Sequence, residues 1–232
     1  VAKQANREDH RVRVAAERRE RMQARLSEAA LLVIGERGVD GSVIDEIARV
    51  AGVARGTFYN YFRGNEDLLA AVATEAGDEM MRAVDPVAIS DTDPAVRVSN
   101  GIRLWLLLCR RYPHLAAFLR RAGSYALTHS SLVRDFLPRD IGAGIRSGRF
   151  HVDDERLAFD LVVGPVLSAI NTMLTDEVAA DYPDRLAAGV LLALGIDAAE
   201  AGAIATRPLG DPGLPSESLI ERSGALQETL HQ

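Results

Sequence analysis

Within six residues, Arg55, Gly56, Thr57, Tyr59 and Asn60 offer a guanidinium, a bare stretch of backbone, two hydroxyls and an amide. These groups suit hydrogen bonding to phosphate oxygens and base edges. An arginine reaches phosphate or a guanine edge, threonine and asparagine donate or accept, and tyrosine donates to phosphate. Glycine lets a backbone approach closely. Bond-making chemistry has little to work with elsewhere. The sequence has no G-x-S-x-G, no H-E-x-x-H and no phosphate-loop lysine pattern, and its only lysine is Lys3. Asp91 and Asp93, and His151 with Asp153 and Asp154, are metal ligands by type, but helix caps and a solvated turn account for them more simply. Cys109 stands in an apolar stretch, where a thiol is usually inert. No catalytic residue, metal or cofactor is expected.

The polar cluster has to be held by helices. Ile44, Ile47, Ala48 and Ala51 recur at helical spacing, which predicts a helix with one apolar face. Gly52 ends it, and Val53 plugs the corner. A second helix is predicted from about Ala54, with Phe58, Tyr61 and Phe62 facing inward and Gly56 and Asn60 outward. Two helices joined in this way form a helix-turn-helix. Any amphipathic helix pair with a glycine turn shares part of the pattern, so DNA binding and a purely structural role both stay open here.

The run IARVAGVARGTFYNYFRGNEDLL, with Gly35-Glu36-Arg37-Gly38 upstream, resembles the N-terminal domain of the TetR/AcrR family of transcriptional regulators. The resemblance covers about residues 22 to 72 and includes Ile47-Ala48, Ala51-Gly52-Val53, Gly56-Thr57, Tyr59, Tyr61-Phe62 and Leu68-Leu69. Three positions depart from the pattern. Val43 replaces a usual Thr, which leaves capping to Ser42 with Asp45 three residues on. Ala54 replaces a hydroxyl residue before the recognition helix, and Asn65 replaces a usual Lys, with Arg63 as the substitute phosphate contact. The candidate DNA-binding set is Ser42, Arg55, Gly56, Thr57, Tyr59, Asn60, Tyr61, Arg63 and Asn65.

The resemblance implies an all-α fold: an N-terminal three-helix helix-turn-helix domain and a C-terminal helical domain for effector binding and dimerisation. It also implies a regulator, read as a repressor, that binds a palindromic double-stranded DNA operator as a homodimer and is released by a small-molecule effector. The alternative is a helical ligand-binding or protein-interaction module whose helix-turn-helix is only structural.

Charge agrees with a DNA-reading head. Residues 1–65 hold 12 Lys and Arg against 9 Asp and Glu, whereas the whole chain of 232 residues carries a net charge of −6. A single cysteine excludes an internal disulfide and fits a reducing cytoplasm. No apolar run of about 18 residues is read from the sequence, so no membrane partner is expected and the cytoplasm is the expected location.

Along the chain, residues 1–21 form an Arg-rich extension, either a solvated head or an arm that follows phosphates. Residues 22–70 form the DNA-binding domain, starting with a helix near Met22 that Gly38 ends. Residues 71–205 form the ligand-binding and dimerisation domain, and 206–232 a loosely held tail with a short helix at 216–230. The fourth helix is predicted to run to Val84 before an Asp85-Pro86 linker. Helices follow at about 95–111, 113–123, 131–147, 153–176 and 183–195. In the body, Met81, Trp105, Cys109, Phe118, Tyr125 and Phe136 could line an effector pocket or simply pack the core, and Arg103, His129 and Asn171 are its candidate polar contacts. The last two of these helices carry surplus apolar surface, and Leu157, Leu161, Pro165, Leu186, Val190 and Leu194 are the candidate dimer contacts.

Overall fold

Caps and breaks in apolar periodicity set the helices. The computed structural model describes residues 2–39, 43–122 and 130–230, with side chains from residue 13 onward apart from Ser131. It contains α1 (Ala2–Arg37), α2 (Val43–Val50), α3 (Arg55–Phe58), α4 (Asn65–Ala88), α5 (Pro94–Arg111), α6 (Pro113–Ala122), α7 (Ser131–Arg146), α8 (Glu155–Thr175), α9 (Tyr182–Ala193), α10 (Ala198–Ala205) and α11 (Leu219–Leu230). The fold is all-α, and no strand occurs among the described residues.

Side-chain caps begin several of the described helices. Asp93 accepts from the Ala95 N–H at 2.9 Å with Pro94 at the first helical position of α5, and Ser130 accepts from Val133 at 3.2 Å to start α7. Asp154 and Asp197 cap α8 and α10 in the same way. These aspartates are therefore structural: Asp93 is also paired with Arg149 at 2.9 Å, and Asp91 with Arg207 at 3.0 Å. Helix α5 lies at the centre of the body, burying Ile102, Leu104, Trp105, Leu106 and Leu108, with α4, α7, α8, α9 and α10 packed around it. In the head α1 packs on α2 and α4, and Leu26, Ala29, Ala30 and Ile34 are buried.

Several expectations are corrected. Helix α1 begins at Ala2, not near Met22, because the mixed charges of the extension include i,i+4 pairs such as Arg13–Glu17 that a helix satisfies. Helix α4 continues through Asp85 and Pro86 to Ala88, since Val84 and Ala88 keep the apolar period and are buried in the body. Helix α10 occupies a stretch read without a helix. The tail is not loosely held. Leu219 and Ile220 are fully buried where α11 packs on α1, α4 and α6. Its first amides are capped from a distance, Glu79 on α4 accepting from Leu219 at 2.7 Å and Ile220 at 3.2 Å. Arg222 reaches Glu28 of α1 at 2.6 Å, and His114 of α6 donates from Nε2 to the Ile220 carbonyl at 3.0 Å.

Helix α8 also overturns the expectation of no membrane-length apolar run. It is 21 residues long, with a mean hydropathy of 1.7 over its best window, and by length and composition alone it could cross a bilayer. Here it packs against α5, α6, α7 and α9, and most of its remaining apolar surface faces outward.

Candidate nucleic-acid interface and ligand cavity

Helix α2 buries Val43, Ile44, Ile47 and Ala48, which fixes its roll against α1. Gly52 adopts φ +65°, and its N–H bonds to the Arg49 carbonyl at 3.1 Å while Val53 N–H bonds to the Ala48 carbonyl at 2.9 Å. This pair of bonds ends a helix on a left-handed residue, which only glycine adopts without strain. Arg25 of α1 clamps the same turn, donating from Nη2 to the Ala51 carbonyl at 2.5 Å.

Helix α3 is one turn long, shorter than the predicted helix to Phe62, and the chain continues in a turn through Tyr61. Phe58 is fully buried and stacks edge-on with Tyr59 at 5.4 Å and tilted with Phe62 at 5.7 Å. That anchor leaves Arg55, Gly56, Tyr59, Asn60 and Arg63 exposed, with Thr57 and Tyr61 half-buried. A methyl group added at Gly56 would meet nothing within 4 Å, and its φ does not demand glycine. The protein's own packing gives no reason for a glycine there.

Asp45 receives Arg55 Nη1 at 2.8 Å in an exposed ion pair; the capping pair expected of it involves Ser42, which lies outside the described residues. Contact with the Tyr59 hydroxyl and then with Asp45 holds the Arg55 guanidinium in its charged form. Asn65 is half-buried at the start of α4 with Oδ1 buried and lacking a hydrogen-bond partner, so it faces the protein more than a ligand. Arg63 uses its backbone N–H to bond Asp67 at 2.9 Å, and its side chain stays exposed. Arg19 of α1 lies over the Tyr61 ring at 5.3 Å.

The second site lies in the body. Met81, Val84 and Ala88 of α4, Val98, Ile102 and Trp105 of α5, Val133, Phe136 and Leu137 of α7, and Val162, Val163 and Val166 of α8 surround a cavity of about 80 Å³. Its polar wall is Asp85, Arg97 and Asp140. Arg97 Nη2 pairs with Asp140 Oδ1 at 2.7 Å, while Arg139 bridges Asp140 at 2.9 Å and Asp85 at 2.7 Å. Arg97 Nε is buried and has no hydrogen-bond partner.

Of the expected effector residues, Met81, Trp105 and Phe136 meet at this cavity. Arg103 does not join them, being held by Asp184 of α9 at 2.6 Å. Cys109 opens on a separate hollow of about 220 Å³ with Arg110, Met173 and Asp176. Burial pushes its thiol pKa well above the usual range, so it stays protonated. Phe118 is fully buried in α6, and Asn171 is exposed on α8. Tyr125 and His129 lie outside the described residues. The sequence reading missed Asp85, Arg97 and Asp140. A signal existed for Asp140, a carboxylate in helical phase with Val133, Phe136, Leu137 and Ile141 on the apolar face of α7.

On the expected dimer surface, Leu157 is exposed, and Leu161, Pro165 and Leu186 are half-buried. Val190 and Leu194 are buried inside the protomer, Leu194 completely, because α9 turns that face toward α5 and α10. The outward residue of α9 is Leu192, 47% exposed.

Comparison with known proteins agrees with this geometry. A model described as bacterial regulatory proteins, tetR family, matches residues 26–72, and one described as tetracyclin repressor-like, C-terminal domain, matches 93–207. The chain is 34% identical to RolR, solved in complex with the ligand resorcinol; the alignment covers 85% of this chain and 100% of RolR at a TM-score of 0.70. This chain belongs to the TetR family. Members are non-enzymatic, DNA-binding transcription factors, and a TetR-family transcriptional regulator with a helix-turn-helix head is what the chain is. The head alone is similar to SrpR of Pseudomonas putida, 45% identical over 60 residues, and to the fatty acid metabolism regulator protein of Bacillus subtilis, 46% identical over 48 residues. Those matches span 28% and 25% of the two relatives. FadR from Bacillus halodurans, at 23% identity and a TM-score of 0.59, shares the fold.

Proposed function

We propose that this TetR-family regulator is a cytoplasmic repressor that binds a palindromic operator as a homodimer and lets go when a small single-ring, hydroxylated aromatic compound fills the cavity. The observation that carries the reading is the placement of the cavity against α4. The same helix buries Leu68 and Leu69 beside the helix-turn-helix and offers Met81, Val84 and Ala88 to the cavity wall. A ligand that preferred a shifted α4 would therefore change the position of the reading head.

The effector class follows from size and chemistry. A cavity of about 80 Å³ suits a small ligand, and its walls are aliphatic and aromatic. A ligand hydroxyl would accept from Arg97 Nε–H and donate to Asp140, giving the unpaired donor a partner. RolR, with its resorcinol, supports the same class. For assembly, the outward apolar surface of α8 around Leu157 and Leu161, with Leu192 of α9, supports a two-helix face that pairs with its copy.

The test is an electrophoretic mobility shift on the DNA upstream of the chain's own gene at fixed salt. Specific binding is expected, released by resorcinol or a related phenol, and Arg97→Leu should lower effector affinity by about 10- to 100-fold while DNA binding persists. Phenol-insensitive DNA binding would refute the effector class.

A further inference from the structure

The segment ahead of the matched head is helical, and none of its described side chains, from Arg13 to Arg25, is buried. Matched residues begin at 26, and Leu26 is the first fully buried side chain of α1. From Lys3 to Arg25 the chain has eight Lys and Arg against four Asp and Glu. Their order matters more than their number. At about 100° per residue, Lys3, Arg7, Arg11, Arg18, Arg21 and Arg25 all fall within about 40° of one line along the helix. Asp9 and Glu20 fall on the opposite side, and Glu8 and Glu17 on the flanks. The extension is thus a basic ridge about 33 Å long at about 1.5 Å per residue.

The ridge is tied to the reading head. Arg25, at its inner end, is the residue that bonds the Ala51 carbonyl in the helix-turn-helix turn; Arg19, about 120° round the helix from the ridge line, packs over Tyr61 just after the recognition helix and so fixes the roll of α1 against the head. Arg18 and Arg21 are exposed. A line of basic residues along one helix, ending at the helix-turn-helix turn, complements a polyanion whose charges recur about every 1.7 Å along the duplex axis.

We infer that the N-terminal part of α1 is a second DNA contact, a phosphate-following arm that adds sequence-independent affinity to each head. The inference rests on the proposed operator binding. It is tested with the full chain and a triple variant, Arg7→Ala/Arg11→Ala/Arg18→Ala, whose helix content is matched by circular dichroism. Dissociation constants are measured on operator and on mixed-sequence duplex from 50 to 200 mM salt. The slope of log K against log salt should become shallower by about 0.9 for each phosphate that the variant no longer neutralises, up to about 2.7 per protomer. Affinity for both duplexes should fall by the same factor, and Arg→Lys at the three positions should restore the slope. An unchanged slope overturns the arm, as does weakening on the operator alone. So does a variant impaired only in its binding to anionic phosphatidylglycerol vesicles, which would make the ridge a lipid-facing surface. Wild-type protein that binds no DNA at any salt overturns operator binding as well, which separates the two failures.

Discussion

Gly56 is the residue whose identity the protein's own packing explains least, and it yields the clearest opposition of signs. An added methyl group meets open space, so Gly56→Ala should hold or raise stability by up to about 1 kcal/mol by lowering the entropy of the unfolded chain. DNA affinity should fall, because on the proposed reading the methyl group would stand where the groove wall comes closest. Thermal melts beside binding titrations check both; a variant that binds DNA as well as wild type would remove the argument for close approach. At this scale the sequence is most readable where the deciding partner lies nearby. The Gly52 turn and the inward Phe58 follow from local spacing. The partners of Arg55 and Arg103 do not. Arg103 resembles a ligand contact because nothing local satisfies a guanidinium in an apolar helix, and its carboxylate, Asp184, is 81 residues away. Arg97 and Asp140 are hidden for the same reason, on helices that meet only in the folded body.

Among the elements, α9 shows how far periodicity reaches. Its apolar residues predict a helix, but tertiary packing decides which face is outward, and the choice of Val190 and Leu194 as interface residues fails on that point. Leu157→Glu and Leu192→Glu should give folded monomers by sedimentation, with operator affinity reduced. Val190→Glu should instead unfold the protomer, since an unpaired carboxylate inside the core costs several kcal/mol. Helix α11 is not legible as a docked element because Glu79, which caps it, lies far away in sequence. Its docking should be pH-sensitive through His114, whose pKa is lowered by burial, with the Ile220 carbonyl and Glu221 opposing. A lowered value means that His114 is neutral in the fold, so its share of stability is present above the ordinary 6.5 and is lost as pH falls through the folded-state value. Glu75 and Glu79 act oppositely. Burial raises both above 4.5, so their contribution is lost as pH rises through those raised values. Comparing wild type with His114→Gln between pH 7.5 and 5.5 isolates the histidine: the variant should lose less melting temperature on acidification. Equal losses would show that His114 does not set this dependence.

At the scale of the whole molecule, α4 is the piece that makes head and body one device. It is 24 residues long, about 36 Å at 1.5 Å per residue, with one end in the head and the other at the cavity. Two recognition helices must stand about 34–36 Å apart to enter successive major grooves, so a small displacement at the far end of α4 is enough to spoil the fit. If effector and operator prefer different positions of this helix, as proposed, linkage requires each to weaken the other by one factor. The direct measurement is calorimetric titration of the phenolic effector into free protein and into protein saturated with operator. Operator should lower effector affinity about 5- to 150-fold, and effector should lower operator affinity by the same factor. Equal effector affinity with and without operator would contradict it.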